Sequence, residues 1–175
     1  MTPSDYDTDY LFVLLSALQK CIRRGLEYET LFFAVELETM NQKALWNRLK
    51  IIASEDVGFA NPIMPILVET LEKQYLHEGL DGSRLLFLSN AIVCLCRSQK
   101  SRVTDDLLNI VKLEHEKGKR IQIPDFAFDK HTQKGRNMYR GWEHFFDEGS
   151  KLENEAFPNP WKEKHRQLRK RGDKI

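Results

Sequence analysis

Apolar residues recur at helical spacing through the first two thirds of the chain. Leu11, Leu14, Leu15, Leu18 and Ile22 follow the i, i+3, i+4, i+7 rhythm, with Gly25 placed as a stop. Leu31, Val35 and Leu37, among Phe32, Phe33 and Ala34, predict a second and more fully buried helix. Asn41 then reads as the cap of a third, carrying Leu45, Leu49, Ile52 and Ala53. Pro62 fits the first turn of a fourth, through Ile66, Leu67, Leu71 and Tyr75 to about Gly79. Asp81 or Ser83 opens a fifth, nearly all apolar from Leu85 to Leu95. Thr104-Asp105-Asp106 begins a sixth, through Leu107, Leu108, Val111 and Leu113, stopped by Gly118. No alternation longer than Ile121 to Ile123 suggests a strand. The expected fold is all-α, a compact bundle of about six or seven short helices.

The character changes after Gly118. Phe126-Ala127-Phe128 leads into a basic stretch, and a last helix is expected from Gly135 or Arg136 to Leu152, with Met138, Trp142, Phe145 and Phe146 on one side. Pro158 and Pro160 separate it from the end of the chain. The predicted organisation is therefore a helical region over 1–117, an extension over 118–160 whose basic and aromatic helix packs on it, and a basic tail over 161–175.

Composition narrows the class. The 175 residues are 41% hydrophobic and 30% charged, which fits a folded chain and neither a membrane-embedded nor a disordered one. No apolar run of spanning length occurs. Met1 to Tyr10 holds three aspartates and no basic residue, unlike a secretory signal. Three cysteines without C-x-x-C point to reduced thiols and the cytoplasm. The net charge of +1 is unevenly placed: seven basic residues against two acidic give +5 over 162–175, leaving −4 over 1–161. Such a tail reads either as a solvated end or as a phosphate-seeking arm.

Catalytic signatures are missing. There is no G-x-x-x-x-G-K-[ST], no G-x-G-x-x-G, no G-x-S-x-G and no H-E-x-x-H. Cys94 and Cys96 stand two apart on an apolar helix, facing about 200° apart, and read as small buried hydrophobes. His131, two after Asp129, has no second ligand at metal spacing; His144 follows only thirteen residues later. No metal, no cofactor and no enzymatic activity are expected. The one enzyme alternative is a small hydrolase or nuclease using Asp125, Asp129 and His131.

Two segments stand out. The first is Ile51 to Pro62: a helix end, an acidic corner at Ser54-Glu55-Asp56, Gly58 able to take positive φ, and a restart at Asn61-Pro62. Arg48-Leu49-Lys50-Ile51-Ile52-Ala53-Ser54-Glu55-Asp56-Val57-Gly58-Phe59-Ala60-Asn61-Pro62 resembles a signature of the MgsA/RarA (Werner-helicase-interacting) family, AAA+ ATPases of replication-fork maintenance. Leu14 to Arg23 and Ala91 to Leu95, followed by Ser98, Lys100 and Ser101, resemble flanking helices of the same family. The resemblance covers roughly residues 8 to 105, whereas 118–160 does not follow the family's usual ending. It implies a clamp-loader-like helical collar that mediates oligomerisation, with a tetramer the first expectation and a dimer the second. It implies no motor activity, because the ATPase module is absent from this sequence.

The second segment runs from Asp125 to Phe146. Lys130, His131, Thr132, Lys134, Arg136 and Arg140 can all meet phosphate, and Arg136 and Arg140 are expected i, i+4 on one helical face. Tyr139 and Trp142 could stack on unpaired bases. An ordinary amphipathic helix with solvated charges explains the same pattern. Together these features lead to a non-enzymatic, oligomerising protein of DNA replication, recombination or repair that contacts DNA or a DNA-handling partner. The alternative is an accessory subunit for a separately encoded AAA+ ATPase.

Overall fold

The structure, a computed structural model, describes residues 8–77 and 83–172. It is all-helical, with no strand among the described residues. The chain divides into two compact units, the first ending at Gly118 and the second beginning at Lys119. No helix among the described residues is long and apolar enough to cross a membrane.

The first unit contains α1 (Thr8–Arg24), α2 (Glu27–Ile52), α3 (Met64–Leu76), α4 (Arg84–Arg97) and α5 (Val103–Glu116). Gly25, at φ 70°, ends α1 as its position in the sequence suggests. The second and third expected helices run together as α2, yet they meet at a break. Asn41 takes φ −159°, ψ 87°, and its Oδ1 accepts the Ala44 N–H at 2.9 Å, the N-cap expected of it. The expected boundaries near Gly79 and Asp81 lie outside the described residues.

Leu14, Leu18 and Ile22 of α1 pack against Leu37, Leu45 and Leu49 of α2, with Val68 of α3 and Leu88, Ile92 and Leu95 of α4. Each such side chain contributes about 1.5–3 kcal/mol when fully buried. Trp46 and Tyr75 meet with ring centroids 5.2 Å apart, and the Tyr75 hydroxyl donates to Glu38 at 2.6 Å. Burial first, and then that carboxylate, push the phenol well above its ordinary range. Cys96 is buried as expected, whereas Cys94 is only half-buried. Phe32 remains largely exposed, so the second expected helix is less enclosed than its composition suggests.

The second unit corrects one expectation. No single helix runs from Gly135 to Leu152. Instead, α6 (Gln133–Asn137) stops, α7 (Trp142–His144) restarts, and a π-turn follows over Phe145–Gly149. Tyr139 sits in the left-handed region at φ 55°. Its N–H bonds the Arg136 carbonyl at 2.9 Å and the Arg140 N–H bonds that of Gly135 at 3.0 Å, a Schellman-type ending built on a tyrosine. The basic end is largely exposed, as a solvated end would be, but it is helical. Residues Lys162–Gly172 form α8, whose His165 ring meets those of Trp142 and Phe146.

Candidate functional site

The acidic corner is built where α2 gives out. The backbone widens into a π-turn over Ala53–Val57 and tightens into a 3₁₀ turn over Gly58–Ala60 before α3. This brings Asp56, 1% exposed, beneath two arginines from distant elements. Its Oδ1 accepts from Arg23 Nε at 2.7 Å and Arg102 at 3.0 Å, and its Oδ2 from Gln19 at 2.9 Å. Glu55 accepts from Arg23 at 2.9 Å and Arg102 at 2.8 Å. Arg102 also pairs with Asp105, and Arg48 donates to Gln19 at 2.8 Å. The hydrogen bond that Arg102 donates to Glu55, then the one it donates to Asp56, drives its guanidinium's affinity for the proton still higher.

A buried carboxylate requires such compensation. Here it joins α1, the corner and the start of α5 in one network. The backbone reinforces the join: the Ser101 N–H donates to the Asp56 carbonyl at 2.8 Å. Asn61 Nδ2 donates to Ser98 Oγ at 3.2 Å. Gly58 takes φ 51°, and a Cβ there would sit 3.2 Å from Thr104 Oγ1. Gly58→Ala is therefore expected to destabilise the first unit by about 1–3 kcal/mol, read as a shift of the urea midpoint. Ser54 and Pro62 are exposed and line a groove of about 740 Å³ with Ile51, Phe59, Pro65 and Leu108.

In the second unit, Asp129 organises the basic stretch as a turn. Its Oδ1 accepts the His131 N–H at 2.9 Å and its carbonyl accepts Thr132 Oγ1 at 3.0 Å. Thr132 in turn caps α6, accepting the Gly135 N–H at 3.0 Å. Lys130 Nζ lies 3.6 Å from the Trp142 ring centroid, and the Arg169 guanidinium of α8 lies 4.1 Å from it. His131, Phe145, Phe146 and His165 surround the same indole. Arg166 pairs with Asp147 at 2.8 Å and Lys170 with Glu143 at 3.5 Å, holding α8 in place.

The six sequence-predicted contact residues are thus near one another along this unit but differ in their engagements. Arg136 and Arg140 do not share a helix face, because α6 ends at Asn137. Arg140, whose side chain is 16% exposed, forks onto both carboxylate oxygens of Asp125 at 2.8 and 2.7 Å. It also donates to the carbonyls of Asp125 and Phe128 at 2.8 and 2.9 Å. That fork holds the Asp125 carboxyl below its ordinary range. Arg136 donates to the carbonyls of Lys130 and His131 and to Gln133, and pairs with no carboxylate among the described residues. Lys134 lies 3.9 Å from the Phe128 ring centroid. Tyr139 is 96% exposed.

Asp125 is clamped by Arg140, Asp129 is used in a turn, and the His131 ring packs edge-on to Trp142 and Phe145. Among the described residues, no group of three His, Cys, Asp or Glu side chains could hold a metal ion. Sequence reasoning missed Arg23, Arg102 and Gln19 at the corner and the docking of α8. The four-residue spacing of His165 and Arg169 was the available signal for the latter.

The comparisons agree with this architecture. A family model described as MgsA AAA+ ATPase C terminal matches residues 30–173. Replication-associated recombination protein A of Bacillus subtilis (strain 168) is 29% identical over 165 residues, covering 91% of this chain. The chain spans only 39% of that relative's length. The family match runs through 118–160, correcting the expectation that this stretch departs from the family's ending. With the model covering most of its residues, the chain belongs to the MgsA AAA+ ATPase C-terminal family.

Proposed function

We propose that the chain is a non-enzymatic, self-assembling helical module of DNA replication, recombination or repair, working in the cytoplasm. It contacts DNA or a DNA-handling protein and contributes assembly geometry, with no bond breaking of its own. The observation that carries this reading is the family match over 30–173, joined to a relative whose name places it in replication-associated recombination. The corner supports it indirectly. The signature's acids are neutralised by Arg23 and Arg102, so they serve as a staple between helices and not as reactive groups. A tetramer is the first choice of assembly and a dimer the second.

DNA contact is assigned to the second unit, through Lys130, His131, Lys134, Arg136, Arg140 and Trp142. Their engagements give these residues different parts. Among the described residues Lys134 and Arg136 form no ion pair with a carboxylate, so they lead in meeting phosphate. Arg140 shapes the loop through Asp125, while Lys130 and His131 act beside Trp142. Little sequence preference follows, since no helix here presents base-reading side chains to a groove. Fluorescence anisotropy with labelled single- and double-stranded DNA at two salt concentrations tests the assignment. Binding should weaken as salt rises, and Lys134→Ala with Arg136→Ala should cost about 1–3 kcal/mol. Unchanged binding by a normally folded double variant would remove the assignment.

One observation favours a second reading. The family model that the chain matches describes the C-terminal part of an AAA+ ATPase. An accessory subunit of a separately encoded AAA+ ATPase would look the same. Co-purification with such an ATPase, without DNA binding by the chain alone, would favour it.

A further inference from the structure

We propose that Tyr139, at the break between α6 and α7, is a stacking platform for an unpaired base, and that the cleft beside it is a nucleotide subsite. The proposal rests on the DNA reading above and names where a base, as distinct from a phosphate, is held. It begins with a strained residue. Tyr139 takes φ 55°, a region that glycine enters freely and an aromatic residue rarely does. The Schellman-type bonds of Tyr139 to Arg136 and of Arg140 to Gly135 pin the backbone in that shape. The ring gains nothing from it. Tyr139 is 96% exposed, and among the described residues no hydrogen bond, ring or cation engages its side chain. A glycine would end the helix without the strain. Strain that the fold itself does not use points to a ligand.

Tyr139 is part of the wall of a cleft of about 840 Å³, lined also by Gly141, Trp142, Glu143, Asp147 and Glu148. A Cβ on Gly141 would meet nothing within 4 Å, so the backbone beside the ring is open. Trp142 is the other aromatic of the lining, but Lys130 and Arg169 already lie 3.6 and 4.1 Å from its ring centroid. Tyr139 is left as the unengaged ring. Charge decides which part of a nucleotide enters. Glu143 pairs with Lys170 and Asp147 with Arg166, while Glu148 has no ion pair among the described residues. Arg140, which also lines the cleft, is committed to Asp125. Three carboxylates in the lining disfavour a phosphate, whereas a neutral base stacks beside them without penalty. The phosphate-seeking pair, Lys134 and Arg136, stands outside the lining, with Arg136 one turn before Tyr139. Phosphate and base thus fall to different residues of one short, hydrogen-bonded segment. A base inside a duplex is stacked on both faces and offers none to a ring, so the subsite takes an unpaired one.

Anisotropy titrations of the full chain with a labelled oligothymidylate strand and a labelled duplex, at one salt concentration, are the test. Tyr139→Gly should weaken strand binding about tenfold, the worth of one stacked base, and leave duplex binding unchanged. Its melting temperature should equal or exceed the parent's, because glycine relieves the left-handed residue. Tyr139→Phe should bind both probes as the parent does, since stacking needs the ring and not the hydroxyl. Phe157→Ala, which removes a ring 81% exposed and outside the cleft lining, should change neither. Strand binding by Tyr139→Gly as tight as the parent's would overturn the subsite and leave the Lys134 and Arg136 assignment to its own variants. Equal losses for strand and duplex, or an equal loss with Phe157→Ala, would overturn it too, as would a lowered melting temperature of Tyr139→Gly, which would make the ring structural. A parent that binds neither probe would remove both the subsite and the DNA reading beneath it.

Discussion

Asp56→Ala is expected to lower the stability of the first unit by about 2–4 kcal/mol, the largest single effect at the corner. The carboxylate is 1% exposed and accepts from Arg23, Arg102 and Gln19. Its removal strands the buried Gln19 amide and leaves two guanidinium groups short of a partner. The loss stays below the upper range for buried pairs, because Arg23 and Arg102 are 32% and 40% exposed and can regain some solvation. Asp56→Asn, which keeps one acceptor, should cost about half as much. Urea denaturation followed by the emission of Trp46, within the first unit's core, measures both. A midpoint unmoved by Asp56→Ala would mean that the corner does not join the helices.

Gly135→Ala is expected to cost the second unit about 3 kcal/mol or more, and to release the Lys130 to Thr132 turn. A Cβ at that position would stand 1.9 Å from the Asp129 carbonyl oxygen and 2.5 Å from its carbon. Those are backbone atoms, so no rotamer change relieves the contact. The turn they belong to carries Lys130 over Trp142 and places His131 against the same ring. Separate melting of the second unit, with Trp142 emission shifted to the red, is the expected signature. A variant that melts like the parent would show that the turn gives way freely.

The helices of the first unit were legible because their burial follows a 3.6-residue period, and even the Asn41 cap could be read from one side chain. The corner was legible as a turn, through Gly58 and Asn61-Pro62, but its partners were not. Arg23 and Arg102 stand 33 and 46 residues from Asp56 in the chain, and no local pattern announces such a pairing. The break at Tyr139 escaped for a different reason. A left-handed helix ending is ordinarily signalled by glycine, and here Gly141 sits two residues too late. Asp125 gave no sign of its bond to Arg140, fifteen residues on, so a structural arginine resembled a phosphate ligand. The apolar positions of α5 read identically whether a neighbour covers them or not, and their exposure emerges only with the fold.

The central claim is that the chain assembles and holds DNA without cutting it. Fluorescence-detected sedimentation of labelled single-stranded DNA with the full chain tests this most directly. The account predicts that the label moves with a protein species larger than the 20.6 kDa monomer, that added salt frees it, and that the recovered DNA is intact. DNA sedimenting at its free rate beside an assembled protein would contradict it, as would shortened DNA in the recovered sample.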